Sequence, residues 1–520
     1  MLNESGSSME KELRNFRSGK RKVKMKISCI IPAAGKSSRF KELGRTYPKT
    51  ILPINEVPII VNNIRVLREN KIQEIIIVSK EVEVFERILN LYKISDVKIV
   101  PPDESKNEGP LTSLYSGWEN VSSSSDMVLI CLSDIFLTSL PELSKELITY
   151  ELKDDYSRWC LIQKGKVLDK PKEEPTTFKE GNKFMAINGL YLFKNERIKD
   201  LRKIIKNPFK EETQLSFLFS KFIEDIDIEL FPLEDIGTLE DYLLKRNLTL
   251  RETRYFNSIS SSSGIVFKKS QDTNKIISEF NWFRSIPQEL AKYTVRTFNL
   301  NLLESEYSME EIYGNNIRER IILLGMETNE INSFLNSFFS YIKEERDFIF
   351  NYDIGHFTLD KLSKRSENLN IREDVLKISK ILGKYDLKKY GSIMHGDTVL
   401  SNIFFNDLNK ITLIDPNGQV VGSFLYDLAK LYQSLILSYD FIDMGFFIKH
   451  SSGFEILDKG TEKIKDIFLT KLKEEFGEEI SEIVKLLSIC LIGSLIPLHS
   501  DKPQNQEVYI EIFKKEVQKL

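Results

Sequence analysis

The sequence predicts two joined domains, an α/β domain with a mixed, mostly parallel sheet first and an α+β domain second. Three observations predict this. The 520 residues exceed what one hydrophobic core usually supports. From residue 26 onward, short apolar runs alternate with amphipathic helical periods. Two stretches rich in small, basic and acidic residues, "CIIPAAGKSSRF" and "SIMHGDTVLSNIFFNDLNKITLIDPNGQ", stand more than three hundred residues apart, and each suits phosphate or metal.

With 41% apolar and 29% charged residues, the composition is that of an ordinary globular chain. A formal net charge of -3 gives no general attraction for nucleic acid or an anionic membrane surface, so neither is expected as a partner. Cys29, Cys131, Cys160 and Cys490 lie far apart without C-x-x-C spacing, which reads as reduced thiols of a cytoplasmic protein. Residues 1–24 read as a mobile leader ending in the basic cluster "RSGKRKVKMK", with a basic arm for nucleic acid or membrane as the sharper alternative. By count, no run reaches the roughly 18 to 20 apolar residues that span a bilayer.

In the first domain, "ISCIIPA" reads as a strand, "IIVNNIRVLREN" as a helix, "IQEIIIVSK" as a strand, "EVFERILNLYK" as a helix and "VKIVPP" as a strand. Ligands of such sheets bind beyond the carboxyl ends of the strands. "PAAGKSSRF" follows the first strand directly. Its small residues Ala33, Ala34, Gly35, Ser37 and Ser38 allow a close approach of backbone N–H groups to phosphate, and Lys36 and Arg39 supply positive charge.

Downstream come "YPKTILPI", "EGPLTSLYSG", "MVLICLSDIF", "VLDKPKEEP", "AINGLYLF" and "LEDIGTLEDYLL". In that order they resemble the sugar-phosphate and phosphocholine nucleotidyltransferase superfamily, a Rossmann-like fold. The resemblance implies that Ala33, Ala34, Gly35, Lys36, Gly109 and Ser113 meet the nucleotide and that Arg39, Lys49 and Lys170 are catalytic cations. It implies Asp134 and Asp235 as ligands of Mg2+, and Asp169, Asn188 and Gly189 as the acceptor pocket. Taken singly, a strand-end Asp is often a helix cap and "DIGT" a turn. "GKSS" replaces the usual G-x-G, and Asp169 replaces a Glu. The loop and "EGPLTSLYSG" look closer to cytidylyltransferases than to thymidylyl or guanylyl enzymes, so CTP is the expected nucleotide.

The second domain opens after "DYLLKRNLTLRETRYF". "SISSSSG" by composition is equally a flexible linker or a turn between strands. "GIVFKKS" then supplies a strand with Lys268 and Lys269, and "KIISEFNWFRSIP" a helix with Glu279. These are parts with which a kinase N-lobe covers ATP. "HGDTVLSNIFF" and "ITLIDPNG" resemble motifs of the choline kinase and aminoglycoside phosphotransferase superfamily, whose fold is that of a protein kinase. The resemblance implies Asp397 as catalytic base, Asn402 and Asp415 as Mg2+ ligands, Asp427 as the brace of the catalytic loop and His395 as its support. It puts the hinge to adenine at "YSMEEIYG", with Met309. Tyr432, Tyr439 and Phe441 read first as core, and as an aromatic box for a quaternary ammonium in the alternative.

The expected boundaries are a nucleotidyltransferase domain over 25–250 and a phosphotransferase over 251–520, with an N-lobe to about residue 310 and a C-lobe from about 311. Together they describe a bifunctional enzyme. ATP phosphorylates a small hydroxyl compound, choline favoured, and the product is coupled to a nucleotide for surface polysaccharide or lipid decoration. Two alternatives are a sugar-1-phosphate nucleotidyltransferase with a kinase of a separate pathway, and a nucleotide sensor with a pseudokinase scaffold.

Overall fold

Apolar side chains on both faces of a short strand leave it no solvent side, and a parallel sheet between helices is where such strands go. In the computed structural model β1 (Ile27–Pro32) is of this kind, with Cys29, Ile30 and Ile31 fully buried. The structure describes residues 25–35, 48–103, 109–163, 165–198, 214–248, 257–262, 264–312, 314–406 and 408–520. The leader, Lys36 and Arg39 lie outside them.

The chain divides into two units, Met1–Thr50 with Ile59–Thr238 and Ile51–Pro58 with Leu239–Leu520. In the first, α1 (Ile59–Glu69), β2 (Glu74–Val78), α2 (Val82–Leu91), β3 (Val97–Val100), α3 (Pro110–Trp118) and β4 (Met127–Cys131) follow β1 in strict alternation. β1 lies between β2 and β4 and is parallel to both, Cys29 standing opposite Ile75 and Leu129. β3 adds outside β2, also parallel. The other half of the sheet is built from β5 (Leu147–Lys153), β6 (Cys160–Gln163), β7 (Lys166–Asp169) and the long β8 (Lys183–Lys194). β8 runs antiparallel to β4, β5 and β6, so the sheet is mixed. Its core joins Ile30, Val78, Leu114, Ile130 and Phe193.

The second unit claims two segments that the sequence assigns to the first. Pro53–Ile54 and Val57–Pro58 form a hairpin whose two turn residues, Asn55 and Glu56, have φ of 52° and 61°, as the twist of a two-residue hairpin requires. α4 (Leu239–Leu248) belongs here too, and the Tyr242 hydroxyl donates to the Pro53 carbonyl at 2.8 Å.

The serine run is a strand. β9 (Asn257–Ser262) pairs with β10 (Ile265–Ser270) from Asn257↔Ser270 to Ser262↔Ile265, so the linker alternative fails. Hairpin pairing satisfies the backbone of a serine run that has little to bury. With β11 (Thr297–Asn301) and β12 (Glu306–Glu310) these strands make a four-stranded antiparallel sheet in the order β9-β10-β12-β11. α5 (Thr273–Ser285) starts at Asp272, whose carboxylate accepts from the Lys275 N–H, and packs Ile276 with Tyr307 and Met309.

A helical body follows, including α6 (Thr328–Arg346), α7 (Ile354–Arg365), α8 (Phe424–Leu435) and α9 (Glu478–Leu495). Glu478–His499 is long and apolar enough to cross a membrane, a run that the apolar count missed because Lys485 and serines interrupt it. Most of it is buried inside the unit, and α9 packs against α8 and α7.

Candidate active sites

In the first unit Asp134 stands just beyond β4, at the strand end where an open α/β sheet collects ligands. The two-residue strands Ile135–Phe136 and Glu234–Asp235 pair there, with Asp235 opposite Ile135. The Ile236 N–H donates to the Asp134 carbonyl at 2.8 Å and the Gly237 N–H to Asp235 Oδ1 at 2.9 Å. A Cβ on Gly237 would lie 2.9 Å from Asp235 Oδ1 and 3.7 Å from Asp134 Oδ2, so both carboxylates converge on one small cradle. Lys49 Nζ reaches Asp134 Oδ2 at 3.0 Å.

Gly189 makes this approach possible. It sits at the register shift of β8 with φ of 138°, and a Cβ there would come within 2.9 Å of Ile135. Asn188 is tied into the scaffold: its side chain accepts from Thr149 Oγ1 at 2.5 Å and donates to the Phe231 carbonyl at 2.6 Å. Asp169 and Lys170 are exposed at the end of β7, and Lys170 takes a left-handed φ of 43°. The Lys170 N–H donates to the carbonyl of Trp159 at 3.0 Å, and the adjacent Arg158 reaches Asp235 Oδ2 at 3.6 Å. The backbone thus leads from Lys170 to the carboxylate cradle in two residues. Ala33 is buried and its N–H donates to the Val78 carbonyl at 2.7 Å, Ala34 is half-buried, and a Cβ on Gly35 would meet no atom of the described residues within 4 Å. Gly109 precedes α3, and Ser113 is buried on it.

In the second unit Lys268 is 2% exposed, and its Nζ lies 2.6 Å from Glu279 Oε2 and 2.9 Å from Asp415 Oδ1. Strand, helix and "IDPNG" segment therefore meet at one ammonium. Burial works against its charge, but Asp415, Tyr307 and Glu279 outweigh it and raise the lysine's affinity for its proton. Lys269, its neighbour along the strand, faces the other way and pairs with Glu304 at 2.5 Å, as the period of two demands. Met309 is buried on β12 opposite Val266 and Thr297.

Asn402 Nδ2 donates to the Asp397 carbonyl at 2.9 Å and to Asp397 Oδ2 at 3.1 Å. Asp415 has a left-handed φ of 58°, a conformation that costs energy in a residue other than glycine. Buried Asp427 accepts the N–H groups of His395 and Gly396, both at 2.7 Å, and so fixes the loop's backbone. His395 Nδ1 accepts the Asp397 N–H at 3.3 Å, and burial pushes the imidazole down to about 4, so the ring is neutral. Trp282 of α5 donates to the Met394 carbonyl at 2.9 Å. Tyr432 packs against Phe468 and Tyr439 stacks on Tyr509, while Phe441 is buried beside them in sequence, so these aromatics are committed to the core.

Lys430 was not among the sequence candidates, yet its Nζ lies 2.9 Å from Asp397 Oδ1. The signal was present: one cation inside "FLYDLAKLYQSL", a helix whose every residue is buried. Burial pushes the Asp397 carboxyl up, and Lys430, with help from Lys361, more than reverses that and holds it below the ordinary range. Glu345 was missed as well. It is fully buried on α6, where burial and the Asp427 charge push its carboxyl well up.

Residues 29–166 match the MobA-like NTP transferase domain. Apart from Ile51–Pro58 that match lies within the first unit, which is thus similar to a nucleotidyltransferase domain. A protein of Sulfolobus acidocaldarius provisionally named mannose-1-phosphate guanyltransferase is 24% identical over 263 residues, covering 47% of this chain and 69% of the relative. Among solved structures, a Bacillus anthracis protein provisionally named glucose-1-phosphate thymidylyltransferase shows 16% identity and a TM-score of 0.36, over 44% of this chain and 97% of its own. UDP-glucose pyrophosphorylase with UDP-glucose shows 18% identity and a TM-score of 0.35, over 43% and 97%.

Proposed function

We propose that the chain is a bifunctional enzyme of the cytoplasm. Its C-terminal part, a kinase-like phosphotransferase over about 251–520, phosphorylates a small hydroxyl compound with ATP. Its N-terminal part, over about 25–250, joins the product to a nucleotide. The observation that carries the reading is the ammonium of Lys268 shared between Glu279 and Asp415, because it unites three sequence-distant motif residues in the arrangement ATP-dependent phosphoryl transfer needs.

Asp134 with Asp235, and Asn402 with Asp415, whose neighbour Ile414 donates its N–H to the Asn402 carbonyl at 3.1 Å, offer side-chain oxygens, which fits a hard divalent ion such as Mg2+. Bound there, the ion supplies neutralisation of phosphate charge. In the kinase step the acceptor hydroxyl attacks the γ-phosphorus of ATP, the bond to the bridging oxygen breaks, Asp397 takes the hydroxyl proton and ADP leaves. Lys268 binds the phosphates, and Asn402 orients Asp397. In the nucleotidyl step an oxygen of the acceptor phosphate attacks the α-phosphorus and pyrophosphate leaves. That oxygen is already anionic, so this step needs positioning and cations in place of a strong base. Lys49, Lys170 and, from the loop, Lys36 and Arg39 provide them.

CTP is the nucleotide that the sequence favours. A second reading, a sugar 1-phosphate as the nucleotidyl acceptor, draws support from the Sulfolobus relative. The test is to incubate the chain with ATP, Mg2+, each NTP in turn and a panel of hydroxyl compounds and sugar 1-phosphates, and to identify products by mass. An NDP-linked compound formed from a free hydroxyl compound, ATP and one NTP is the expected result. Nucleotidyl transfer to sugar 1-phosphates alone favours the second reading.

A further inference from the structure

The charges around Asp397 are unbalanced. Its side chain is 39% exposed while most of its loop is buried, so it is the loop's open end. Lys430, on α8, is 8% exposed and reaches it. One turn earlier on the same helix, the Tyr426 hydroxyl accepts from Lys361 Nζ at 2.6 Å, which brings the lysine from α7 alongside Lys430. Arg365 stands one turn beyond Lys361 on α7. Among the described residues Lys361 forms no ion pair with a carboxylate, its hydrogen bond going to Tyr426. Its surroundings are mostly non-aqueous, and Lys430 and Arg365 add to burial in disfavouring its charge, with Asp397 alone opposing them, so its ammonium falls to about 7. Cations kept together out of water are costly unless an anion joins them.

Resting on the phosphotransferase reading above, we propose that the acceptor is a hydroxy compound carrying its own anionic group, a carboxylate or a phosphate. That group is held by Lys361, Arg365 and Lys430 while the hydroxyl meets Asp397. The same cations would repel a quaternary ammonium, and the aromatics that could have received one are core residues. The choline expectation gives way to a hydroxy acid or a polyol phosphate.

The test uses the full chain with ATP and Mg2+ and matched acceptors: both enantiomers of glycerate and further hydroxy acids of three to six carbons, glycerol 3-phosphate, glycerol, choline and ethanolamine. At least one anionic acceptor is expected to exceed glycerol and choline in kcat/KM by roughly tenfold or more, and glycerate against glycerol 3-phosphate tells carboxylate from phosphate. Lys361→Met should raise KM for that acceptor about tenfold with kcat nearly unchanged and no loss of Tm, and Lys361→Arg should restore it. If choline or glycerol is phosphorylated and the anions are refused, the inference is overturned and the kinase reading stands. Preference for anions with KM unmoved in Lys361→Met overturns the site. If no compound in either class is phosphorylated, the kinase reading fails and the inference with it.

Discussion

The two sites use the same residue types and hold them differently. In the first unit the Lys49–Asp134 pair is 17% and 30% exposed, and its carboxylates sit on a turn beyond the sheet, positioned by backbone hydrogen bonds. In the second the Lys268–Glu279 pair is 2% and 3% exposed, wedged between a strand and a helix. A solvent-touched pair is screened and contributes little to folding, whereas a buried pair is costly to break. The first pair can be changed at little cost to folding. The second cannot.

That contrast breaks if single substitutions do not divide in the same way. Lys268→Met leaves Glu279 buried without its main cation and should cost about 3–5 kcal/mol in urea unfolding, against about 1 kcal/mol or less for Lys49→Met. Equal losses would mean that the two pairs are held alike. Asp134→Asn should lower pyrophosphate release at least roughly a hundredfold with Tm nearly unchanged, as removal of a key electrostatic group does. Near wild-type turnover would make this aspartate structural.

The smallest effect concerns pH. Burial pushes Asp427 up to about 7, against its backbone hydrogen bonds, and Glu345 beside it is raised too. The folded chain therefore holds a proton that the unfolded chain releases above about pH 4. Stability from this pair is fully present below that value and is lost as pH rises through about 7. Glu345→Gln should flatten the decline in urea midpoint between pH 5 and 8. An unchanged slope would place the proton elsewhere.

The alternation of strands and helices was legible because both faces of β1 and β2 are apolar, and the position of Asp134 just beyond a buried strand was legible from the apolar run before it. Lys268 and Glu279 were legible as a strand lysine followed by a helix glutamate. Naming Lys269 with Lys268 overlooked the alternation of a strand, which puts neighbours on opposite faces. The hairpin at 53–58 looked like part of the first domain because chain continuity hides which unit a segment packs into. Lys361, Lys430 and Glu345 lie on three helices, and only tertiary packing brings them to the Asp397 loop. No local spacing encodes that.

The central claim is that one site feeds the other, and Asp397→Asn tests it most directly. On the proposed reading the variant loses the base that orients the acceptor hydroxyl, while the first unit's residues are unchanged. With free acceptor, ATP and NTP it should form no NDP-linked product, and with the acceptor phosphate supplied ready-made it should form that product at the wild-type rate. If the phosphate made by the wild-type chain is never taken up by the nucleotidyltransferase, the two activities belong to separate reactions and the account is contradicted.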